Sequence, residues 1–571
     1  MTRRGLTPVR ARQHNGCMSF WHRLGSALAK PARYGALAAG ILPVITFPAA
    51  NLGFLAWCVL VPGLLLMCRA PSAREAAVRA WWFGAGFIMA AHYWLVPNIG
   101  PGLLLVAIVL GACWAGVGVS AWALLRPPMT AGRSLAALVV VPSFWLLVEW
   151  IRSWQALGGP WALLGASQWQ HPAMLALASV GGVWLVSFAL VAANTGIVIL
   201  VTAPRAAIRA LGAAAVIIAV GAGPLAFALT PPVHPARQVT VALVQPGYLA
   251  HPSPLGTASQ RLTARLGPRH PDLIVWGESS IGDDLRLHRA LLDQLRSLSA
   301  DVGAPILVDQ DSYTPAGKSK VAVLVDSGGI VATYTKTRLV PFGEYIPFRQ
   351  QLGWLTRISR AAPSNMIPGD GARVITVPGA RPLKLGVLIC FEAAFPDMSR
   401  ADTLHGAQLI VYQTSDSTFQ DSWAPAQHAS LSAVRAAETG RPVVQAALTG
   451  VTAAFDAQGR QLAWLGTAQR GVALVRLDLA PATDLTPFDH IGDTVPWTAI
   501  AICVIAALVA LNHTHRPQRL VGIMVNGNRR PVSAVSISKA VDRDRMADSP
   551  ATGGQESDVR AGGPPAHRIE E

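Results

Sequence analysis

Cys390 is the only cysteine between residues 238 and 487. It closes the run Leu385-Gly386-Val387-Leu388-Ile389-Cys390, and Phe391-Glu392 follow. A thiol at the C-terminal end of a strand is fixed by the strand and exposed by the loop after it, a common placement for reactive groups in α/β folds. Position alone equally allows a small, inert core cysteine. Two further segments bring matching chemistry. Pro271-Asp272-Leu273-Ile274-Val275-Trp276-Gly277-Glu278-Ser279 sets Glu278 just past an apolar run, as a general base or a capping carboxylate. Tyr334-Thr335-Lys336-Thr337-Arg338-Leu339-Val340-Pro341-Phe342-Gly343-Glu344-Tyr345 carries Lys336. Lysine is scarce here: residues 238–487 hold Lys318, Lys320, Lys336 and Lys384 amid abundant arginine. A lysine kept in that company points to a need for a compact ammonium rather than a guanidinium fork.

These residues need a scaffold. Across 238–487, short apolar runs (Val239–Val244, Leu273–Val275, Pro305–Val308, Val321–Val325, Leu383–Ile389, Leu409–Tyr412) alternate with helical patterns at 287–301 and 424–440. That alternation predicts an α/β domain. Seven longer apolar runs precede it, at 34–50, 52–68, 80–97, 102–125, 135–151, 173–202 and 210–230, and an eighth lies at 495–511. A helix needs about 20 apolar residues to cross the hydrocarbon core. The expected plan is a cytoplasmic N-terminal arm (1–33), a bundle of about seven transmembrane helices (34–230), the α/β domain (238–487), a C-terminal transmembrane helix (495–511) and a disordered cytoplasmic tail (515–571). Pro43 and Pro48 predict a kink or break in the first run.

Loop charges orient this plan. Arg3, Arg4, Arg10, Arg12, Arg23, Lys30 and Arg33 crowd the N-terminal arm. With that arm inside and every run crossing, the inner loops hold Arg69, Arg74 and Arg79, then Arg126 and Arg133, then Arg205 and Arg209, then Arg516 and Arg519. The outer stretches 51–52, 98–101 and 153–172 hold no Lys or Arg. The positive-inside rule then sets residues 238–487 on the extracytoplasmic face.

Composition agrees. Of 571 residues, 52% are hydrophobic and 14% charged, against about 25% charged in an ordinary soluble chain. The net charge of +16 sits in tails and inter-run loops, so it reads as membrane topology and not as nucleic-acid binding. With six cysteines and no CxxC pair, neither a zinc site nor a disulfide framework is expected. No metal and no cofactor is expected. Glu149 and Arg152, one turn apart within an apolar run, can pair and are candidates by their cost alone. Trp81, Trp82, Trp94, Trp161 and Trp169 are expected as interface anchors.

In order, Trp276-x-Glu278-Ser279, then Lys336-x-x-Leu339-Val340-Pro341-Phe342-Gly343-Glu344-Tyr345, then Ile389-Cys390-Phe391-Glu392 resemble the Glu-Lys-Cys triad of the nitrilase (carbon–nitrogen hydrolase) superfamily, with about 55 residues between members. With apolar runs on both sides, the resemblance narrows to the apolipoprotein N-acyltransferase family. Phe395-Pro396-Asp397, Ala424-Pro425-x-Gln427-His428, Arg435-Ala436-x-Glu438-x-Gly440-Arg441-Pro442 and Thr449-Gly450-Val451 fit it, as do Glu149-Trp150-Ile151-Arg152, Gly159-Pro160-Trp161 and Gly165-Ala166-Ser167-Gln168. The chain departs from the family at Ser415-Asp416-Ser417-Thr418-Phe419-Gln420, where Asn-Asp-x-Trp-Phe-Gly is usual.

The resemblance implies an α-β-β-α sandwich joined to the helical bundle, in a multi-pass protein of the bacterial cytoplasmic membrane. It implies Cys390 as nucleophile, Glu278 as general base, Lys336 as oxyanion stabiliser, Glu344 as a second carboxylate holding Lys336, and Glu392 as a residue that orients the cysteine loop. The implied partners are a phospholipid acyl donor and a diacylated apolipoprotein acceptor. A membrane-tethered amidase acting on a small amide and a non-catalytic lipoprotein-binding paralogue are the alternatives.

Overall fold

The computed structural model describes residues 31–230, 235–247, 253–357 and 362–515. The expected arm lies outside these apart from 31–33, as does the expected tail apart from His515. Among the described residues, five helices are long and apolar enough to cross a membrane: Gly102–Leu125, Ala131–Arg152, Ala178–Thr202, Ala206–Leu229 and Thr494–Asn512. The first three expected runs fold differently. Helix Pro31–Ile41 gives way to a 3-10 turn, Leu42–Thr46, where Pro43 removes a helical N–H. The second run is the short helical segment Gly53–Cys68. The third, Ala73–Ala91, carries Arg74, Glu75 and Arg79 in its first two turns. Ser72 caps its N-terminus, and Arg33 and Arg79 pair with the buried Glu75 at 2.6 and 3.3 Å.

The α/β part contains two six-stranded sheets. The first is built from β1 (Arg237–Gln245), β2 (Leu273–Trp276), β3 (Ile306–Thr314), β4 (Gly317–Asp326), β5 (Gly329–Thr335) and β12 (Gly471–Leu479), in the order β12-β1-β2-β3-β4-β5. The second comprises β6 (Val374–Val377), β7 (Leu383–Ile389), β8 (Leu409–Thr414), β9 (Val443–Ala447), β10 (Thr452–Phe455) and β11 (Gln461–Leu465), in the order β11-β10-β9-β8-β7-β6. The strands β1, β2 and β3 run parallel, as do β7, β8 and β9, so their C-terminal ends gather at one edge of each sheet.

Side-chain alternation makes the layers. Val241, Leu243, Val275 and Leu307 share one buried cluster with Leu385, Val387 and Val411 of the second sheet. Their neighbours Ala242, Val244, Ile274, Trp276 and Val308 turn the other way, onto Leu262, Leu291, Leu295 and Leu298 of helices Ser253–Ala264 and Arg289–Val302. Helices Pro396–Leu404 and Ala424–Thr439 pack on the second sheet. This is the α-β-β-α sandwich.

Helix Ala424–Thr439 also packs against Ala178–Thr202 and is buried on nearly every face. The apolar helix breaks at Gly181 and Gly182. Gly182 adopts φ +70°, and a Cβ there would stand 2.7 Å from the Phe488 ring, so glycine serves both the turn and the close approach. The N–H of Val183, freed by the break, donates to buried Glu438 at 2.7 Å, and Glu438 stands 3.1 Å from Arg435.

Candidate active site

Glu278, Lys336 and Cys390 come together at the strand ends. Glu278 follows β2 by one residue, Gly277, where a Cβ would lie 2.0 Å from the Leu448 backbone nitrogen. Only glycine lets the first sheet approach the second this closely. The Glu278 N–H then donates across the seam to Thr414 O at 3.2 Å. Lys336 follows β5, and its Nζ donates to Glu278 Oε1 at 3.1 Å and Glu344 Oε1 at 2.8 Å. Its side chain is wholly buried. Glu344 Oε2 in turn accepts from the Val340 N–H at 2.8 Å, which closes the loop around the ammonium.

Cys390 follows β7 with φ +54°. A left-handed non-glycine residue costs on the order of 1–3 kcal/mol and persists only where neighbours hold it. Two groups do so. Glu392 Oε2 accepts from the Ile389 N–H at 2.7 Å, while Oε1 accepts from the N–H groups of Thr337 and Arg338 at 2.7 and 2.9 Å and from the Tyr334 hydroxyl at 2.9 Å. One buried carboxylate thus ties the cysteine turn to the lysine segment. His428 Nε2 lies 3.0 Å from the Cys390 carbonyl oxygen, and its Nδ1 lies 3.0 Å from Asp416 Oδ1.

The charges are unequal. Burial would raise Glu278, but the Lys336 and Lys320 ammoniums and the Cys390 thiol hold it down, to about 2. Burial and the Glu278 carboxylate push the Cys390 thiol well above its ordinary value. Lys336 loses hydration, yet Glu278 and Glu344 raise it well above the ordinary lysine value. The resting site is therefore a carboxylate, an ammonium and a neutral thiol.

Glu149 and Arg152 stay near the site without pairing with each other. Arg152 Nη2 donates to Trp161 O at 2.7 Å, and Glu149 Oε1 accepts from the Leu164 N–H at 2.7 Å and from Trp145 Nε1 at 2.9 Å. Both charges hold the loop that leaves their helix. That loop reaches the lysine segment, the cysteine segment and the helix that carries His428. Gln155 Nε2 donates to Leu339 O at 2.9 Å, and Trp161 Nε1 donates to Gln427 Oε1 at 2.9 Å. Gly159 (φ +73°) lies so near Phe391 and Phe395 that a Cβ would stand 2.8 and 2.9 Å from their rings.

Three expected anchor tryptophans pack on the α/β domain instead. Trp94 meets Phe419 at 4.8 Å between ring centres, Trp161 meets His428 at 5.7 Å, and Trp169 stacks on Trp464 at 5.3 Å. Trp81 donates to Ile108 O at 2.7 Å, and Trp82 meets Tyr34 edge-on at 5.5 Å. The departing segment 415–420 also has work here: Asp416 holds His428, and Phe419 meets Trp94.

Sequence reasoning assigned no role to His428, Asp416, Lys320, Asp309 or Asp311. His428 lies in the Ala424-Pro425-x-Gln427-His428 motif and Lys320 is one of few lysines, but their partners, Cys390 and Asp416 for the one and Asp311 for the other, lie on elements that only the fold brings close.

Two family profiles match the chain: the apolipoprotein N-acyltransferase N-terminal domain over residues 39–196 and carbon–nitrogen hydrolase over 240–486. The apolipoprotein N-acyltransferase of Allorhizobium ampelinum is 30% identical over 531 residues, covering 86% of this chain and 96% of the relative. The chain belongs to the apolipoprotein N-acyltransferase family. Apolipoprotein N-acyltransferases of Chlorobaculum tepidum (28% over 528 residues, 85% of this chain and 98% of the relative) and Sinorhizobium fredii (31% over 415 residues, 69% and 76%) are similar too. As an apolipoprotein N-acyltransferase, it is an acyltransferase enzyme of a membrane, with a nitrilase-like sandwich beside apolar helices.

Proposed function

We propose that the enzyme moves a fatty acyl chain from a membrane phospholipid to the α-amine of a diacylglyceryl-cysteine at an apolipoprotein N-terminus, through a thioester on Cys390. The observation that carries this reading is the convergence of Glu278, Lys336 and Glu344 beside a cysteine held at φ +54°.

A neutral thiol beside a strongly acidic carboxylic acid does not ionise in advance. The Sγ–C bond therefore forms as the thiol proton passes to Glu278. The ester carbonyl becomes a tetrahedral oxyanion, which the fixed Lys336 ammonium stabilises. Collapse breaks the C–O bond. Glu278 returns its proton to the departing oxygen, and a lysophospholipid leaves. The neutral acceptor amine then attacks the thioester and gives its proton to Glu278. The second collapse breaks the C–S bond, the amide forms, and Glu278 reprotonates Cys390. Atoms and protons balance with no further reactant. Glu344 keeps Lys336 in place, Glu392 sets the cysteine and lysine segments in register, and Glu149 and Arg152 hold the loop that leaves their helix.

Both substrates are lipid-anchored, which suits a sandwich docked on apolar helices. Family membership implies the bacterial cytoplasmic membrane, and the loop charges favour this domain on its extracytoplasmic face. A transfer assay tests the reading. Phospholipid labelled in one acyl chain is supplied with a synthetic diacylated lipopeptide, and the label is expected on the lipopeptide amine. Label released as free fatty acid without transfer would instead indicate a hydrolase.

A further inference from the structure

A second buried lysine stands against the same carboxylate. Lys320 Nζ lies 3.6 Å from Glu278 Oε1, the oxygen that also receives Lys336 at 3.1 Å. Lys320 is itself anchored. It lies directly across the β3–β4 pair from Asp311, with its Nζ 3.3 Å from Asp311 Oδ1, and it also donates to Ser279 Oγ. Asp311 is braced in turn by Lys318 at 2.7 Å. The ladder aligns the two lysines, because the Lys336 N–H donates to Lys320 O at 2.9 Å. Ser279 (φ +52°) donates its N–H to buried Asp309 at 2.7 Å, so the turn that carries Glu278 is tied to the same strand. The groups facing Glu278 are thus Lys336 beyond β5, Lys320 on β4, Asp309 on β3 and Cys390 beyond β7, with Asp311 and Glu344 behind the two ammoniums and the His428–Asp416 pair beneath Cys390.

We propose that Lys320 is a positioning residue of the acyl-transfer site: with Lys336 it occupies Glu278 Oε1, which leaves Oε2 for the Cys390 thiol and keeps the carboxylate ionised. This rests on the reading of Glu278 as the base. A carboxylate held between two ammoniums stays charged in acid, and one held by a single ammonium protonates sooner. Burial tells the same story, since neither lysine could stay in this setting without the carboxylates around it.

The test follows thioester formation on the full-length protein in nanodiscs of phosphatidylethanolamine and phosphatidylglycerol, by intact-protein mass, across pH. In the wild type the rate is expected to stay level as pH falls from about 6 to about 4. In Lys320→Met it should fall at least about tenfold over the same range, while Lys320→Arg, which keeps the charge, should stay level. A Lys320→Met profile parallel to the wild type, at whatever absolute rate, overturns the proposal. Asp311→Asn offers a second route that leaves Lys320 intact. Losing the anchor should lower the acylation rate several-fold with donor KM unchanged, and an unchanged rate counts against the role. A wild type that forms no adduct at any pH would instead overturn the thioester reading beneath it.

Discussion

His428 Nε2 sits 3.0 Å from the Cys390 carbonyl oxygen while its Nδ1 sits 3.0 Å from the Asp416 carboxylate. A carbonyl and a carboxylate both accept, so the ring meets both by carrying two protons. The nearby Thr414 hydroxyl, 3.3 Å from Nδ1, does not alter this, since it can serve as acceptor as well. A buried imidazolium therefore pins the strained turn at Cys390.

That arrangement gives the protein a pH-dependent stability. Burial disfavours the His428 charge, but Asp416 and the Cys390 carbonyl more than offset it and raise the folded value above the ordinary one. A raised folded value contributes stability that is complete below the unfolded value of about 6.5 and is lost as pH rises through the folded value. Melting of detergent-solubilised protein should show His428→Gln clearly below the wild type near pH 6, with the gap narrowing in alkali. A gap that is constant or widens with pH would contradict the charged state.

Lys336 should be close to indispensable for turnover. Removing one oxyanion donor typically costs about 3–4 kcal/mol, or 10²–10³-fold in rate. Lys336→Met is expected to lose at least that much in kcat. Lys336→Arg should not recover it, because the planar fork cannot fit a fully buried slot shaped for one ammonium between Glu278 and Glu344. Steady-state transfer kinetics on both variants decide this; near-wild-type turnover in the arginine variant would count against the role.

Glu392 acts at one remove from the chemistry. Its carboxylate accepts four hydrogen bonds from the two segments that carry Cys390 and Lys336. In Glu392→Gln an amide NH2 must face at least one backbone N–H, and an unsatisfied buried group costs about 1–3 kcal/mol. The expected result is a kcat lowered by about 10- to 100-fold, a modest fall in melting temperature, and a donor KM near the wild-type value. A KM effect alone would place Glu392 in substrate binding.

Two glycines near Glu278 separate packing from local sequence. Gly277→Ala would drive a Cβ to 2.0 Å from the Leu448 backbone, whereas a Cβ on Gly282 would meet nothing within 4 Å. The seam between the sheets cannot yield cheaply, so Gly277→Ala should destabilise by at least about 2–3 kcal/mol and lose activity. Gly282→Ala should stay within about 0.5 kcal/mol of the wild type. Denaturation midpoints compare the two directly.

The site was legible in part because its principal residues sit at the ends of strands, where an apolar run and the polar residue beyond it are adjacent in sequence. Glu278 and Cys390 each follow such a run, and Lys336 stands out among few lysines; the alternation of runs with helical patterns announced an α/β domain, while the two-sheet sandwich came only with the family resemblance. What depends on pairing between distant strands was not legible. Lys320 meets Asp311 through the β3–β4 register, and His428 reaches Cys390 from a helix 38 residues on. Glu149 and Arg152 have helical spacing for a pair, but the loop backbone at Trp161 and Leu164 offers each a partner that must otherwise go unsatisfied. The first apolar runs read as spans by composition, yet Pro43 shortens one and the Arg33–Glu75–Arg79 group charges another.

The central claim is that Cys390 carries the acyl chain. Intact-protein mass spectrometry after exposure to phospholipid tests it most directly. The expected result is one added acyl group on the wild-type protein, mapped to Cys390, absent from Cys390→Ala and discharged by a diacylated lipopeptide with acylation of its amine. An acylated lipopeptide produced by Cys390→Ala at the wild-type rate, or a wild-type protein that transfers the chain while never carrying it, would contradict the account.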